Sequence, residues 1–357
     1  MMKVAVLGTG NGGQAMAAHL AINGHCVNLY GRDKKIVNTL SLKNEITLCG
    51  KINGTGKLNF ITNDLQKAVE NCEIIMIVTT ANAHRDLAIQ LSKYLKNEQI
   101  VVFNPGRTGG ALEFSQALKE QSFTQKTYIA EAQTLIYACR IIETGVVNVI
   151  GVKDKVFLSA FPLQDTDFVL NKLANLYSCF IPAKNVLATS LENIGAMLHP
   201  SVILFNAAAI ERGHKFYFYR EMTEVVADFI ENLDEERLSL GKAYEIDLIS
   251  VKDWVSFAYN KIEGNTLYER IQNNPAYYNI LAPTTIRCRQ LLEDIPTGLV
   301  PMVELGKMAG VKMPLCESLI KICSILLKHD FYKEGRTLKK LGLTGLSKNE
   351  IIKIVEK

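Results

Sequence analysis

The sequence predicts an α/β domain with a mostly parallel, doubly wound sheet, followed by an all-α domain. Three observations carry this. Through the first half, β-branched runs alternate with amphipathic stretches; a glycine-rich loop joins the first run to the first helical stretch; and after about residue 185 the apolar period becomes helical. The expected division is residues 1–184 and 185–357. A chain of 357 residues with 48% hydrophobic content is long enough to bury two cores.

The strand runs are Val4 to Leu7, Val27 to Tyr30, Ile74 to Val78, Ile100 to Phe103 and Tyr128 to Ala130. Between the first two, "NGGQAMAAHLAING" reads as a helix that stops on Asn23-Gly24. Residues 46 to 61 read as an inserted hairpin, because Asn53-Gly54 is a strong turn signal. Two more extended stretches, Val146 to Val152 and Val156 to Ala160, precede Phe161-Pro162. Residues 189 to 213 read as one helix, opened by the capping-box pair Thr189 and Glu192 and kinked at Pro200. An interior proline costs a helix about 3 kcal/mol, and this one would aim the adjacent His199. Further on, "DEERLSLGKAYEI" and "LCESLIKICSILLKH" are the clearest helices.

The 40 basic and 36 acidic residues nearly cancel, and no basic block or basic-aromatic stripe appears, so nucleic acid is not an expected partner. No apolar run reaches the ~18 residues of a membrane span, and the N-terminus lacks the pattern of a signal peptide. A cytoplasmic protein with no membrane partner is expected. Eight cysteines stand singly without C-x-x-C spacing, which fits reduced, buried thiols and no metal site.

"VAVLGTGNGGQAMAAHL" sets Gly8, Gly10 and Gly13 in G-x-G-x-x-G spacing after a strand and at the mouth of a helix. Gly8 makes the tight turn, Gly10 lets the backbone approach a pyrophosphate, and Gly13 lets helix and strand pack closely. Asn11 and Gly12 complete the loop where the helix N-terminus faces the phosphates. At the end of the second strand, where NAD-binding chains carry an acid for the ribose 2′-OH, stand Gly31 and Arg32. A guanidinium suits a 2′-phosphate, so NADP is the expected cofactor; Asp33, next in line, keeps NAD as the alternative.

"FNPGRTGGALEF" (103 to 114), "EAQTLIYACR" (131 to 140), "ENIGAMLHPSVILFNAAAIE" (192 to 211), "RCRQLLEDIPTGLVP" (287 to 301) and "EGRTLKKLGL" (334 to 343) together resemble the octopine/opine dehydrogenases. With the glycine loop they span nearly the whole chain in the family's order. The resemblance implies a Rossmann domain, a helical domain, and an oxidoreductase acting on CH–NH bonds. Such enzymes join an amino acid's amine to a 2-oxo acid, usually pyruvate, and reduce the product with NAD(P)H to an N-(1-carboxyalkyl) amino acid. Both expected partners are thus small-molecule substrates; a homodimer is left open.

That chemistry needs a group that moves protons near neutral pH, which suits histidine. Of six histidines, His199 is the one within a block matching the family, where the resemblance makes it the acid/base residue. The resemblance further implies Asp294 as its carboxylate partner, Arg289 as the binder of the oxo-acid carboxylate, and amine-substrate contacts around Gln133 and Thr134. Ile136 departs from the family's frequent proline there. Arg289 and Asp294 face one site only if the helix ends between them, which agrees with Pro296. Asn206, seven residues after His199, falls on the same helix face and is a candidate pocket residue. Arg336 is a candidate second carboxylate binder. Two other readings share the architecture: a hydroxy-acid or alcohol dehydrogenase related to glycerol-3-phosphate dehydrogenase and ketopantoate reductase, whose relatives rely on a lysine, and a non-catalytic dinucleotide sensor.

Overall fold

The computed structural model describes residues 1–259 and 262–357. They form two units, one of residues 1–106, 110–189 and 355–357, the other of residues 107–109 and 190–354.

The first unit contains two sheets. Its strands are β1 (Lys3–Leu7), β2 (Cys26–Tyr30), β3 (Glu45–Gly50), β4 (Gly54–Lys57), β5 (Phe60–Thr62), β6 (Ile74–Ile77), β7 (Ile100–Phe103), β8 (Tyr128–Ala132), β9 (Tyr137–Glu143), β10 (Val146–Val152), β11 (Val156–Phe161) and β12 (Phe180–Pro182). The larger sheet runs β12-β11-β8-β7-β6-β1-β2-β5 and is parallel from β8 to β5; β11 returns antiparallel to β8. This is the doubly wound, mostly parallel sheet that the alternation predicts. β1 lies inside it, with Val4 opposite Val27 on one side and Ile74 on the other. Strands covered on both faces need unbroken apolar runs, and "VAVL", "IIMI" and "IVVF" supply them.

The predicted hairpin forms with β3 and β4 antiparallel, in a second sheet of order β4-β3-β10-β9, but it ends at Lys57; Phe60 and Ile61, read as its end, belong to β5 of the larger sheet. The helix α1 (Asn11–Ile22) packs against strands of both sheets, which explains why "GGQAMAA" is buried throughout instead of along one stripe. A Cβ on Gly56 of β4 would lie 2.4 Å from the Ala18 carbonyl oxygen, so glycine lets strand and helix touch. Three strands had no signal in the sequence. β5 and β12 are three residues long, and β9 pairs only with β10, so its outward residues are free to be polar.

In the second unit the named elements are helical. The two clearest patterns fall in helices Glu224–Ala243 and Pro314–Leu327. The single helix expected over residues 189 to 213 is instead three: Val186–Leu191, Gly195–Phe205 and Ala207–Glu211. Thr189 lies within the first, and its hydroxyl donates to Glu131 Oε1 at 2.7 Å, so it is not a cap. Glu192 does not close a capping box either, because its Oε1 accepts the Ile249 N–H at 2.9 Å. Buried Arg237 donates to Leu191 O at 3.0 Å and to Asp234 at 2.6 Å, drawing that segment onto helix Glu224–Ala243. Pro200 stays inside the middle helix; the interruptions fall at 192–194 and at Asn206.

All eight cysteines are free. Among the described residues, no helix is long and apolar enough to cross a membrane.

Candidate active site

In the first unit, the glycine loop has the geometry its spacing demands. Gly8 has φ +132°, and a Cβ there would meet the Val78 carbonyl oxygen at 2.4 Å. A Cβ on Gly13 would lie 1.8 Å from Gly8 O, so α1 can seat on the loop only with glycine at that position. Gly10 differs: no atom lies within 4 Å of its Cβ position, leaving open space ahead of α1. The N–H groups of that first turn have no intrahelical acceptor and carry the positive end of the helix. A dinucleotide's pyrophosphate fits this cradle. Asn11 Oδ1 accepts the Ile141 N–H at 2.8 Å, and the Cβ position of Gly12 abuts Leu135 and Val78. Arg32 is exposed after β2. Asp33 caps helix α2 (Lys34–Ser41), its Oδ1 accepting from Lys35 N at 2.8 Å and Ile36 N at 3.3 Å.

Gln133 and Thr134 follow β8. Gln133 is buried, its Oε1 accepts the Phe157 N–H at 3.1 Å, and its Nε2 has no hydrogen-bond partner among the described residues. Thr134 Oγ1 accepts from Lys153 Nζ at 3.4 Å. Ile136 is fully buried.

In the second unit, His199 and Asp294 meet. His199 Nδ1 lies 2.7 Å from Asp294 Oδ2, and its Nε2 lies 3.1 Å from the Tyr219 hydroxyl. An ionised carboxylate only accepts, so Nδ1 carries the proton and the Nε2 lone pair of a neutral ring accepts the Tyr219 O–H. The helix Arg289–Leu292 ends before Glu293, and Pro296 enters a π-turn over Ile295–Leu299. That turn seats on the His199 helix through Gly298, whose Cβ would lie 2.6 Å from Ala196 Cβ. Asp294 is thereby carried into the interior, at 0% exposure.

Sequence reasoning missed three members of this cluster. Arg107 Nη1 is 3.5 Å from Asp294 Oδ1 and donates to Asn193 Oδ1 at 3.1 Å; its Nη2 is 3.7 Å from Glu293 Oε2. Arg107 stands in "NPGRTGG", a block that resembles the family, and an arginine within a glycine turn was its available signal. Glu293 shares the block of Asp294, "RCRQLLEDIPTGLVP", and Tyr219 had no signal. Arg289 is half exposed and pairs with Glu293 Oε2 at 2.7 Å, on the outer side of the cluster. Asn206 ends the His199 helix, and its Nδ2 turns back to Val202 O at 2.9 Å. Arg336, the candidate second carboxylate binder, is buried and donates through Nη1 to Thr108 O at 3.0 Å, bracing segment 107–109.

Burial alone would raise the Asp294 pKa, but the charges of Arg107 and His199 outweigh it and hold the group down to about 2. For Arg107 burial likewise opposes the charge, and Asp294 and Glu293 more than offset it, so its pKa is raised.

Residues 182–327 match the family described as NAD/NADP octopine/nopaline dehydrogenase, alpha-helical domain, and residues 3–133 match the NAD-dependent glycerol-3-phosphate dehydrogenase N-terminus. The chain is 36% identical over 354 residues to the opine dehydrogenase of Arthrobacter sp. (strain 1C), covering 99% of this chain and 98% of that one. The chain belongs to the octopine/opine dehydrogenase family. As an opine dehydrogenase relative it is an oxidoreductase with a nicotinamide-dinucleotide domain. Its fold is also that of octopine dehydrogenase solved with NADH and L-arginine (TM-score 0.81, 20% identity, 99% and 98% of the two chains). Yersinopine dehydrogenase with NADP+ bound shares it too (TM-score 0.75, 15% identity, 100% and 98%).

The depressed Asp294 pKa fixes a stability effect. Its contribution is fully present above the ordinary carboxylate value and is lost as pH falls from about 4 towards about 2. Asp294→Asn should therefore cost about 3–5 kcal/mol at pH 7, as for a broken buried pair. Denaturant melts should show that gap narrowing below about pH 4. A gap independent of pH would mean that the carboxylate is not ionised in the folded state.

Proposed function

We propose that this chain catalyses the NADPH-dependent condensation of an amino acid's amine with a 2-oxo acid, pyruvate being the family's usual one, to give an N-(1-carboxyalkyl) amino acid. The observation that carries the reading is the His199–Asp294 pair, an imidazole held at 2.7 Å by a fully buried carboxylate. Attack of the amine on the oxo carbon gives a carbinolamine, which must lose water to become the imine that is reduced. His199 takes a proton from the attacking nitrogen through Nε2 and returns one to the departing hydroxyl. Asp294 fixes the tautomer and stabilises the imidazolium between these transfers. To reach Nε2, the substrate displaces the Tyr219 hydroxyl or shares it.

Arg289 binds the oxo-acid carboxylate by exchanging its exposed contact with Glu293 for a bidentate one. The Gln133 amide nitrogen, which has no partner among the described residues, meets the amine substrate with Thr134. Asn206 uses one amide N–H on its own helix and has its Oδ1 and second N–H to offer the pocket. The dinucleotide is held by the main chain of Gly8, Gly10, Asn11, Gly12 and Gly13, and supplies the hydride when bound. NADPH is the preferred cofactor in this reading because exposed Arg32 follows β2 and its guanidinium suits a 2′-phosphate, while Oδ1 of Asp33 is used to cap α2. Cysteines free of disulfides fit the cytoplasm.

NADPH oxidation should require both partners, appearing with pyruvate plus an amino-acid mixture and not with either alone. The product mass should equal acid plus amine, less water, plus two hydrogens; a 2-hydroxy acid as sole product would replace this reading with an ordinary hydroxy-acid dehydrogenase. Arg32→Ala should raise the KM for NADPH and leave NADH use nearly unchanged, and equal loss with both cofactors would refute the NADP preference.

A further inference from the structure

Acid/base work by His199 uses one oxygen of Asp294; the other faces Arg107. Oδ2 meets the imidazole at 2.7 Å, and Oδ1, which receives no hydrogen bond among the described residues, lies 3.5 Å from the guanidinium. Arg107 is held there at a backbone cost. Its φ is +59°, in the left-handed region that favours glycine, although glycines stand at positions 106 and 109. Asn193 Oδ1 accepts from Nη1 at 3.1 Å and fixes its direction. Gly195 marks how close the two cations' positions are, because a Cβ there would lie 2.8 Å from Arg107 Nη1 and 3.2 Å from His199 Cε1. Guanidinium and imidazole thus converge on one residue without a side chain, at the two ends of one buried carboxylate.

We infer that Arg107 sets the proton affinity of the His199–Asp294 pair, keeping the imidazolium from being trapped by the buried carboxylate. The inference rests on the acid/base reading of His199. A buried carboxylate with histidine as its sole partner binds that histidine's proton tightly, because deprotonation leaves a buried charge uncompensated. Arg107 is cationic at every working pH. It compensates Asp294 in both states of His199 and repels the imidazolium directly, so the ring's proton is not locked in place by the carboxylate.

The other groups around the ring do not supply this charge. Arg289 acts on Asp294 more weakly than Arg107 does, being half exposed and paired with Glu293 at 2.7 Å, and Glu293 lies 3.7 Å from Arg107 Nη2. On helix Glu224–Ala243, which packs against the His199 helix, Asp234 pairs with Arg237 at 2.6 Å, and Glu192 lies 3.7 Å from the same guanidinium. Helix Pro314–Leu327 buries Cys316 and Cys323, and Cys288 precedes Arg289; burial keeps all three thiols protonated. Glu211, on helix Ala207–Glu211, accepts the Ile286 N–H. Tyr219 presents a hydroxyl.

The test follows His199 by NMR in full-length protein labelled at histidine, with its resonance assigned by loss in His199→Ala. In Arg107→Gln its titration midpoint should rise by about one to three units, the size of a neighbouring charge's effect; Arg107→Lys should stay near wild type. An unmoved midpoint in folded Arg107→Gln overturns the inference. Should that variant fail to fold, Asn193→Ala, which removes the acceptor that fixes the guanidinium and leaves the imidazole untouched, should move the midpoint upward, and no movement there overturns it equally. The low-pH limb of kcat/KM should follow the NMR midpoint. If the resonance moves and the limb does not, Arg107 tunes the pair as inferred and the acid/base reading of His199 fails on its own.

Discussion

A carboxylate with no access to water has to be neutralised by protein, and Asp294 is such a group. Leaving it unpaired would cost several kcal/mol, a large share of a protein's whole stability. Much of the second unit's local structure follows from meeting that demand with two cations. The helix that carries Arg289 stops at Leu292, and the π-turn over Ile295–Leu299 aims the carboxylate inward. Segment 107–109 is bound in several places. Thr108 N donates to Thr297 O at 3.1 Å, Thr108 Oγ1 to Ser190 O at 3.1 Å, and Arg336 to Thr108 O at 3.0 Å. These bonds hold Arg107 where its charge is needed, so residues that would never touch substrate still fix the imidazole's environment.

The first unit obeys a constraint of a different kind, steric instead of electrostatic. Gly8 and Gly13 are required because carbonyl oxygens occupy the space a side chain would fill. Gly10 has free space around it, and that space is where a phosphate can approach backbone N–H groups. One glycine motif therefore combines two positions demanded by packing and one left open for a ligand.

Local chemistry made parts of both units readable in the sequence. Strands buried on both faces have to be apolar throughout, so "VAVL" and "IIMI" stood out; the Asn53-Gly54 turn announced its hairpin. His199 and Asp294 were reached through resemblance to a family, and their contact agrees with Pro296 ending a helix between Arg289 and Asp294. What escaped was decided by partners distant in the chain. The helix over residues 189–213 is broken because Arg237 and Ile249 take the groups of Leu191 and Glu192, and no periodicity within that stretch records them. Tyr219 reaches the cluster from a segment with no motif, Glu293 sits in the block of Asp294 without a pattern of its own to mark it, and the part played by Arg107 depends on Asn193 and Glu293 together.

The central claim, that the buried pair makes His199 the proton-transfer group of an opine-forming reaction, is tested most directly by the single-turnover rate of His199→Ala with NADPH, pyruvate and an accepted amino acid. The rate should fall by ~10²- to 10⁴-fold, the worth of a positioned acid/base, while NADPH affinity is retained, since the glycine loop lies in the other unit. A rate within a few-fold of wild type in the folded variant would contradict the account and leave His199 a structural partner of Asp294.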